Sequence, residues 1–495
     1  MNSKRILFLF AVVSCLPLAS CSGLHSGCST GCTTGDANVT ITLFDTPPAG
    51  VTVLSFSLPI VGISLTPSSG SPVSISPTSV VPKELTRLQT DSTTVVTAAK
   101  VPAGTYTSIN VTLGPSSGVF VNANPNHSTI TGSGNVSCVF GQVCNLPAGA
   151  AATVNIPLSL TLTNNQNQWI GLDVNLNNAI ITTNTTVISV DFTQPKVFSA
   201  TTTPRTGIPA GSVDIVEDFT GKITAVSSSS ITVQSGMTGE SITATLNSNT
   251  ELASVPAVYS NCTSVATCLT TGTTVSLDAL LSSAGTYTAT EIDALDATAT
   301  PTDEVEGVIY PTSTAGVVGM ILADKSSKTG NAVLSAATTT FGTGIFLTLS
   351  TSANFVIDPK TLSSNPNFVP IGFSGTGNLL AGQQVRVQVS GVASGTSGIT
   401  GTANNVALRF SRISGTIATV SGSAFTITGY PSYLSLLNPA LGATPLVYSY
   451  SPGTLFDGVT GTGDPKFVTG ATIAIRALYL DNAQPTFAST KVRVP

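Results

Sequence analysis

The sequence predicts an all-β protein, an N-terminal antiparallel β-sandwich followed by three small β-barrel repeats, and three observations carry that expectation. Apolar residues alternate with Thr and Ser over short runs, the period of half-buried strands. Among 495 residues, 45 Gly and 29 Pro break those runs into turns. The C-terminal half also aligns on itself. Charged residues make up 8%, against roughly 25% in typical domains, so hydroxyls fill most outward positions. The hydrophobic fraction of 41% would suit a membrane protein, yet no run beyond the N-terminus approaches the roughly 20 apolar residues of a spanning helix. With 18 cations and no cluster of them after Arg5, the chain lacks the positive charge that neutralises phosphates, which argues against nucleic-acid binding.

Residues 1–20 carry Lys4 and Arg5, then the apolar run ILFLFAVVSCLPLA, then small residues, the layout of a secretory signal. Leu18-Ala19-Ser20-Cys21 resembles the bacterial lipobox, in which a signal peptidase cuts before the cysteine and its thiol and amine are acylated with diacylglycerol and palmitate-type chains. That resemblance implies lipidation at Cys21, an anchor worth about 0.8 kcal/mol per buried CH₂. The alternative is an ordinary signal peptide with a chance cysteine. Ser22 at the next position implies sorting to the outer membrane, as a lipoprotein facing the periplasm or exposed at the surface. Six cysteines remain in three local pairs, Cys28 with Cys32, Cys138 with Cys144 and Cys262 with Cys268. In an exported chain they read as three small-loop disulfides. The competing reading is metal, but zinc would need two pairs to meet or histidines nearby, and the chain has only His25 and His127.

Residues 21–37 are small, polar and aperiodic, a flexible tether. From 38 to 200, runs such as NVTITLF, VTVLSFSLPIVGISL, TYTSINVTL and IGLDVNL give about eight strands, enough for a sandwich, with a helical turn expected at PKELTRLQ, 82–89. The combination of TITLFDTPP, ELTRL, VPAGTYTSINVTLG and IGLDVNLNNAI resembles an uncharacterised domain family of bacterial lipoproteins, the domain of unknown function numbered forty-three eighty-two. The resemblance implies a transthyretin-like envelope sandwich and brings no catalytic residues with it.

TTTPRTGIPAGS reads as a linker, residues 201–213. Beyond it, GKITAVSSSSITV from Gly221 and GTIATVSGSAFTI from Gly415 match without a gap, and EGVIY from Glu306 begins a third copy. A second landmark follows in each: GTTVSLDAL from Gly272, GQQVRVQV from Gly382 and GATIAIRAL from Gly470. Each copy closes on a strand, with Ala289 before Ile292, Ala403 before Val406 and Ser489 before Val492. The copies span 214–300, 301–410 and 411–495. Alternation places Val385, Val387 and Val389 on one face and Arg386 and Gln388 on the other. Closed barrels of five or six strands would remove sheet edges from a chain with few charges to guard them. The copies resemble a second uncharacterised bacterial family, the domain of unknown function numbered fifty-six sixty-six, which implies OB-like barrels.

Candidate chemistry is sparse. His127 sits in the loop NANPNHSTITGSG, where a solvated histidine is expected in place of a catalytic one. Glu291, Asp293, Asp296, Asp303, Glu304 and Glu306 cluster at one repeat junction, and Asp214, Glu217 and Asp218 at another. They read as solvated linkers or, more sharply, as a calcium site stiffening a junction. Trp169, the single Trp, is expected in packing. Tyr430, Tyr433, Tyr448 and Tyr450 lie in one long insertion and form either an adaptable binding surface or a packed loop. No cofactor motif occurs. The resulting expectation is a non-enzymatic, lipid-anchored cell-envelope protein with a binding, adhesion or scaffolding role, its partners being the membrane through the lipid and envelope proteins or polysaccharide. The alternative is a surface glycan-binding lipoprotein that assists polysaccharide capture.

Overall fold

A computed structural model describes residues 35–495 except 47–51, 79, 135, 185, 254–263, 297–301, 311, 313, 315, 337–341, 371–372, 397 and 481–485. Cys21, Cys28, Cys32 and Cys262 lie outside the described residues.

Residues 36–201 form four four-stranded sheets around one apolar core. Asp36–Thr46 and Asn167–Asn175 run parallel at the middle of one sheet, flanked by Thr93–Pro102 and Phe198–Thr201. A second sheet orders Ala152–Leu162, Gly104–Leu113, Ile60–Pro67 and Val73–Ile75, all antiparallel. Ala152–Leu162 shows why these residues make a strand: Ile156, Leu158, Leu160 and Leu162 are buried while Thr153, Asn155, Pro157, Ser159 and Thr161 face water. The expected helical turn is present as a 3₁₀ helix, Leu85–Gln89, with the Glu84 carboxylate accepting from the Thr86 N–H at its start. Leu85 and Leu88 sink into the sandwich core, and Arg87 reaches away from it to the Asp218 carbonyl at 2.8 Å. A disulfide joins Cys138 and Cys144, and Cys268 is also disulfide-bonded.

Three closed five-stranded barrels follow. The first comprises Asp214–Val226, Ser230–Gln234, Ser241–Thr245, Thr274–Leu281 and Tyr287–Ala294. Its first strand pairs with the second and fourth, the fifth pairs with the fourth, and the third and fifth close the circuit in parallel. The second barrel repeats this circuit with Asp303–Tyr310, Val317–Ser326, Gly344–Ile357, Gln384–Gly395 and Gly398–Ser421. The third repeats it with Gly398–Ser421, Ala424–Thr428, Leu446–Ser449, Thr472–Tyr479 and Phe487–Arg493. This strand order makes the barrels OB-like. The 24 residues of Gly398–Ser421 close one barrel and open the next, so the boundary drawn between 410 and 411 falls inside a single strand.

The repeated glycines have a common physical cause. A Cβ on Gly221 would lie 2.2 Å from the Gln234 carbonyl oxygen, and one on Gly307 2.2 Å from that of Ile321, because the second strand crosses tightly over the first there. Gly272, Gly382 and Gly470 have φ of +94°, +90° and +90°, the left-handed region that glycine enters without strain. Their N–H groups donate to Ile223, Ile309 and Ile417 at 2.8, 2.9 and 2.8 Å. Each acceptor stands two residues after its repeat's first glycine.

The units do not hang apart. Phe44 and Trp169 of the sandwich pack into the first barrel's core, and Leu54, Val119 and Val121 into the third's. The expected linker is fastened down, with the Gly458 N–H donating to the Thr206 carbonyl at 2.7 Å. Among the described residues, no helix is long and apolar enough to cross a membrane.

Candidate functional site

Among the described residues, 15 of the chain's 23 acids and 8 of its 18 cations are buried. Arg386, on the strand face opposite Val385, Val387 and Val389, is itself only 5% exposed and is held among Glu304, Glu306 and Asp324 of neighbouring strands. The acidic residues between 291 and 306 are likewise not a solvated linker. Glu291, Asp293, Glu304 and Glu306 are buried, with Asp293 and Glu306 at 0%.

The strands bring these groups together at one junction. Asp218, at a bulge opposite Asp278 in the first barrel, takes two hydrogen bonds from Arg476 at 2.7 Å and one from Arg412 at 3.1 Å, both from the third. Lys360, in the second barrel's 3₁₀ turn Lys360–Ser364, places its Nζ 2.9 Å from Asp293, 3.0 Å from Asp218, 3.1 Å from Asp278 and 3.7 Å from Glu291. An ammonium thus occupies the position among carboxylates that the sequence reading offered to calcium. Glu217 pairs with Lys491 at 2.6 Å and Arg476 at 3.2 Å. Arg386 holds Glu304 at 2.5 Å and Glu306 at 3.4 Å.

Equivalent positions in the first and third barrels carry opposite charge. Three residues before the first glycine stand Asp218 and Arg412, and six after the second stand Asp278 and Arg476. On the closing strand stand Glu291 and Lys491, then Asp293 and Arg493. Asp278 lies across from Glu291, and Arg476 across from Lys491, in the same register. Like charges directly opposite on a sheet destabilise it. Each barrel alone would carry that repulsion, and the other relieves it.

Burial sets the electrostatics. It works against ionisation of Asp218, but Arg476, Lys360 and Arg412 outweigh it and hold the carboxyl well below its usual range. Burial penalises the Lys360 ammonium too, yet Asp218, Asp278 and Asp293 keep it charged. The acids with fewer partners behave differently. Burial pushes Asp91 up to about 7, opposed by Lys491 and assisted by Glu217. It raises Asp324 to about 7 against Arg386, and Glu291 to about 8 against Lys360. A cleft of about 100 Å³ beside the helical turn is lined by Lys83, Arg87, Asp91, Glu217, Glu240 and Asp324. Paired carboxylates are thus abundant, and cations fill the space between most of them.

The tyrosines of the long insertion do not assemble as an exposed row. Tyr430 donates to the Gly442 carbonyl and Tyr433 packs beside Gly382, both 8% exposed. Tyr450 is 5% exposed and edge-on to Phe368 at 5.7 Å, with half-buried Tyr448 against it at 4.8 Å. Trp169 is buried and donates to Thr42 at 3.0 Å. His127 is exposed and stacked on Phe140 at 3.9 Å. Among the described residues no group of three or more His, Cys, Asp or Glu is arranged to hold a metal. Sequence reasoning missed Lys360, Arg409, Arg412, Arg476 and Lys491. The sign inversion between aligned repeats was the available signal.

Residues 36–191 match the family model described as Domain of unknown function (DUF4382), and residues 220–293 match Domain of unknown function (DUF5666). The first match covers the sandwich and the second lies in the first barrel. No curated protein matches the chain. A solved structure titled "drosophila Unr CSD456" is similar at 9% identity with a TM-score of 0.12, covering 56% of this chain and 96% of that one.

Proposed function

We propose that the protein is a lipid-anchored cell-envelope component with a non-enzymatic binding or scaffolding role, presenting one rigid body on a short tether. The observation that carries this reading is the buried ion-pair junction, which links all three barrels and the sandwich's helical turn. Such a junction favours a fixed spatial arrangement over a string of independent modules, as a scaffold requires. The lipobox-like Leu18-Ala19-Ser20-Cys21 supports the anchor. Radiolabelled palmitate should enter the wild-type chain and not Cys21→Ala, which should also leave the membrane fraction; retained label in the variant overturns the anchor. Cross-linking and pull-down from envelopes should recover a reproducible protein partner of the intact body.

A glycan-binding role has one observation in its favour. The outer face of the sheet Ala152–Leu162, Gly104–Leu113 and Ile60–Pro67 is an uncharged array of hydroxyls and amides. Asn155 donates to Asn110 at 2.7 Å, Asn110 to Thr66 at 2.9 Å, and Thr112 and Thr153 meet at 3.2 Å. Such a face suits a neutral polysaccharide. A glycan array should show binding that Asn110→Ala weakens, and an empty array removes this reading.

A further inference from the structure

The charged junction is not balanced. Ion pairs within 4 Å link Asp218 through Lys360, Arg409, Arg412 and Arg476 to Asp91, Glu217, Asp278, Glu291, Asp293 and Asp358, with Lys491 on Glu217. Arg386 adds Glu304, Glu306 and Asp324, and the half-buried Arg87 bonds the Asp218 carbonyl. Among the described residues, ten carboxyls therefore face seven cations at this junction.

Nearly all of these side chains are buried, and solvent approaches Asp91 and Asp324 only through the cleft beside the helical turn. An isolated buried charge is neutralised in preference to being left uncompensated. The deficit also has an address. Both Asp324 oxygens are buried with only the Lys325 backbone N–H beside them, and one Glu291 oxygen and both Asp293 oxygens are buried without a well-formed hydrogen bond, as are the Arg409 Nη atoms and the Arg412 Nε on the cationic side. Arg386 approaches Asp324 only to 3.8 Å, already holding Glu304 and Glu306. Glu291 must share Lys360 with three other acids, and Asp91 has Arg412 at 3.8 Å while Glu217 holds Lys491.

We propose that the junction between the barrels is a proton-loaded clamp, closed with about two to three of its ten carboxyls protonated near pH 6.5 and loosened as those protons leave. Asp324, Asp91 and Glu291 are the groups that hold them. Asp324 is faced by Arg386, Glu306 and Arg87, with the neighbouring Lys325 ammonium also in its field; Asp91 by Lys491, Glu217 and Arg412; Glu291 by Lys360, Asp278, Asp293 and Arg476. The raised pKa values of these three acids, about 7, 7 and 8, leave about two to three protons on them near pH 6.5, on the order of the deficit. Because folding raises them, the folded chain binds more protons than the unfolded one between pH of about 4 and 8. Stability therefore falls as pH rises through that window, by up to about tenfold in the unfolding constant per pH unit for each proton held. An exported protein so built would tighten in mildly acidic surroundings and relax in alkaline ones.

The test is urea unfolding of the mature chain at constant ionic strength from pH 5.5 to 8.5, with the proton release on unfolding measured in weak buffer. The expected result is a midpoint that falls with pH and a release of two to three protons near pH 6.5, on the order of the deficit. Asp324→Asn should remove about one proton from the release and flatten the profile. A stability that is flat or rises across this range, or no release by the wild-type chain, overturns the clamp whether or not the variant folds. Restoration of the pH 8.5 midpoint by millimolar calcium or magnesium overturns it too, since a metal would then supply the missing charge.

Discussion

Replacing Lys360 with Met keeps the bulk of the side chain and removes the ammonium from among four carboxylates. The Nζ is 1% exposed on its side chain and lies 2.9 to 3.7 Å from Asp293, Asp218, Asp278 and Glu291. Asp218 and Asp278 keep Arg476, whereas Asp293 has no other ion pair within 4 Å among the described residues. The variant must therefore neutralise Asp293 or bury a bare charge. Protonating a carboxyl of ordinary pKa costs about 1.4 kcal/mol per pH unit above about 3.9, hence about 5 kcal/mol at pH 7.5 and about 1.5 kcal/mol at pH 5. The raised starting pKa of Asp293, due to burial, makes these upper limits. Orphaning a buried charge typically costs about 3–5 kcal/mol, which agrees. Urea titrations followed by the fluorescence of Trp169, buried where sandwich and first barrel meet, should show a loss of about 3–5 kcal/mol at pH 7.5 that shrinks to about 1–2 kcal/mol at pH 5. A loss below about 1 kcal/mol at pH 7.5, the size of an exposed ion pair, would refute the reasoning. So would a larger loss at pH 5.

Other outcomes follow from the same structure. Gly221→Ala, whose Cβ would sit 2.2 Å from a carbonyl oxygen, should destabilise by about 2–3 kcal/mol in the same titration. Gly104→Ala, with open space at that position, should stay within about 0.5 kcal/mol of wild type. Converting Cys138 and Cys144 together to Ser opens a bridge of sequence separation 6 and should lower stability by about 2 kcal/mol.

The fold was legible because alternation and turn residues survive within single strands, and because the glycines that permit tight strand crossings recur in order at Gly221, Gly307 and Gly415. The junction was not. A polar residue in an alternating strand, such as Arg386, reads as solvated when its neighbours in sequence are considered alone. Its partners Glu304 and Glu306 stand on another strand some eighty residues away, and local pattern contains nothing of that pairing. The acids were visible as clusters, but the cations that fill them are scattered singly through the second and third barrels. Only the comparison of aligned repeats, with Asp278 against Arg476 and Glu291 against Lys491, could have paired them. The tyrosines illustrate the opposite error: composition marked an adaptable loop, while long-range packing against residues such as Phe368 decided their burial.

The claim that opposite charges on the first and third barrels hold the body together rests most directly on Glu217 and Lys491, 274 residues apart and 2.6 Å in contact. A double-mutant cycle of Glu217→Gln and Lys491→Met, read by urea unfolding at pH 7, measures the coupling between them. The expected result is a coupling of about 1–3 kcal/mol, with the double variant more stable than the sum of the single losses allows. Additivity within about 0.5 kcal/mol would contradict the account, since the two groups would then not hold the barrels to each other.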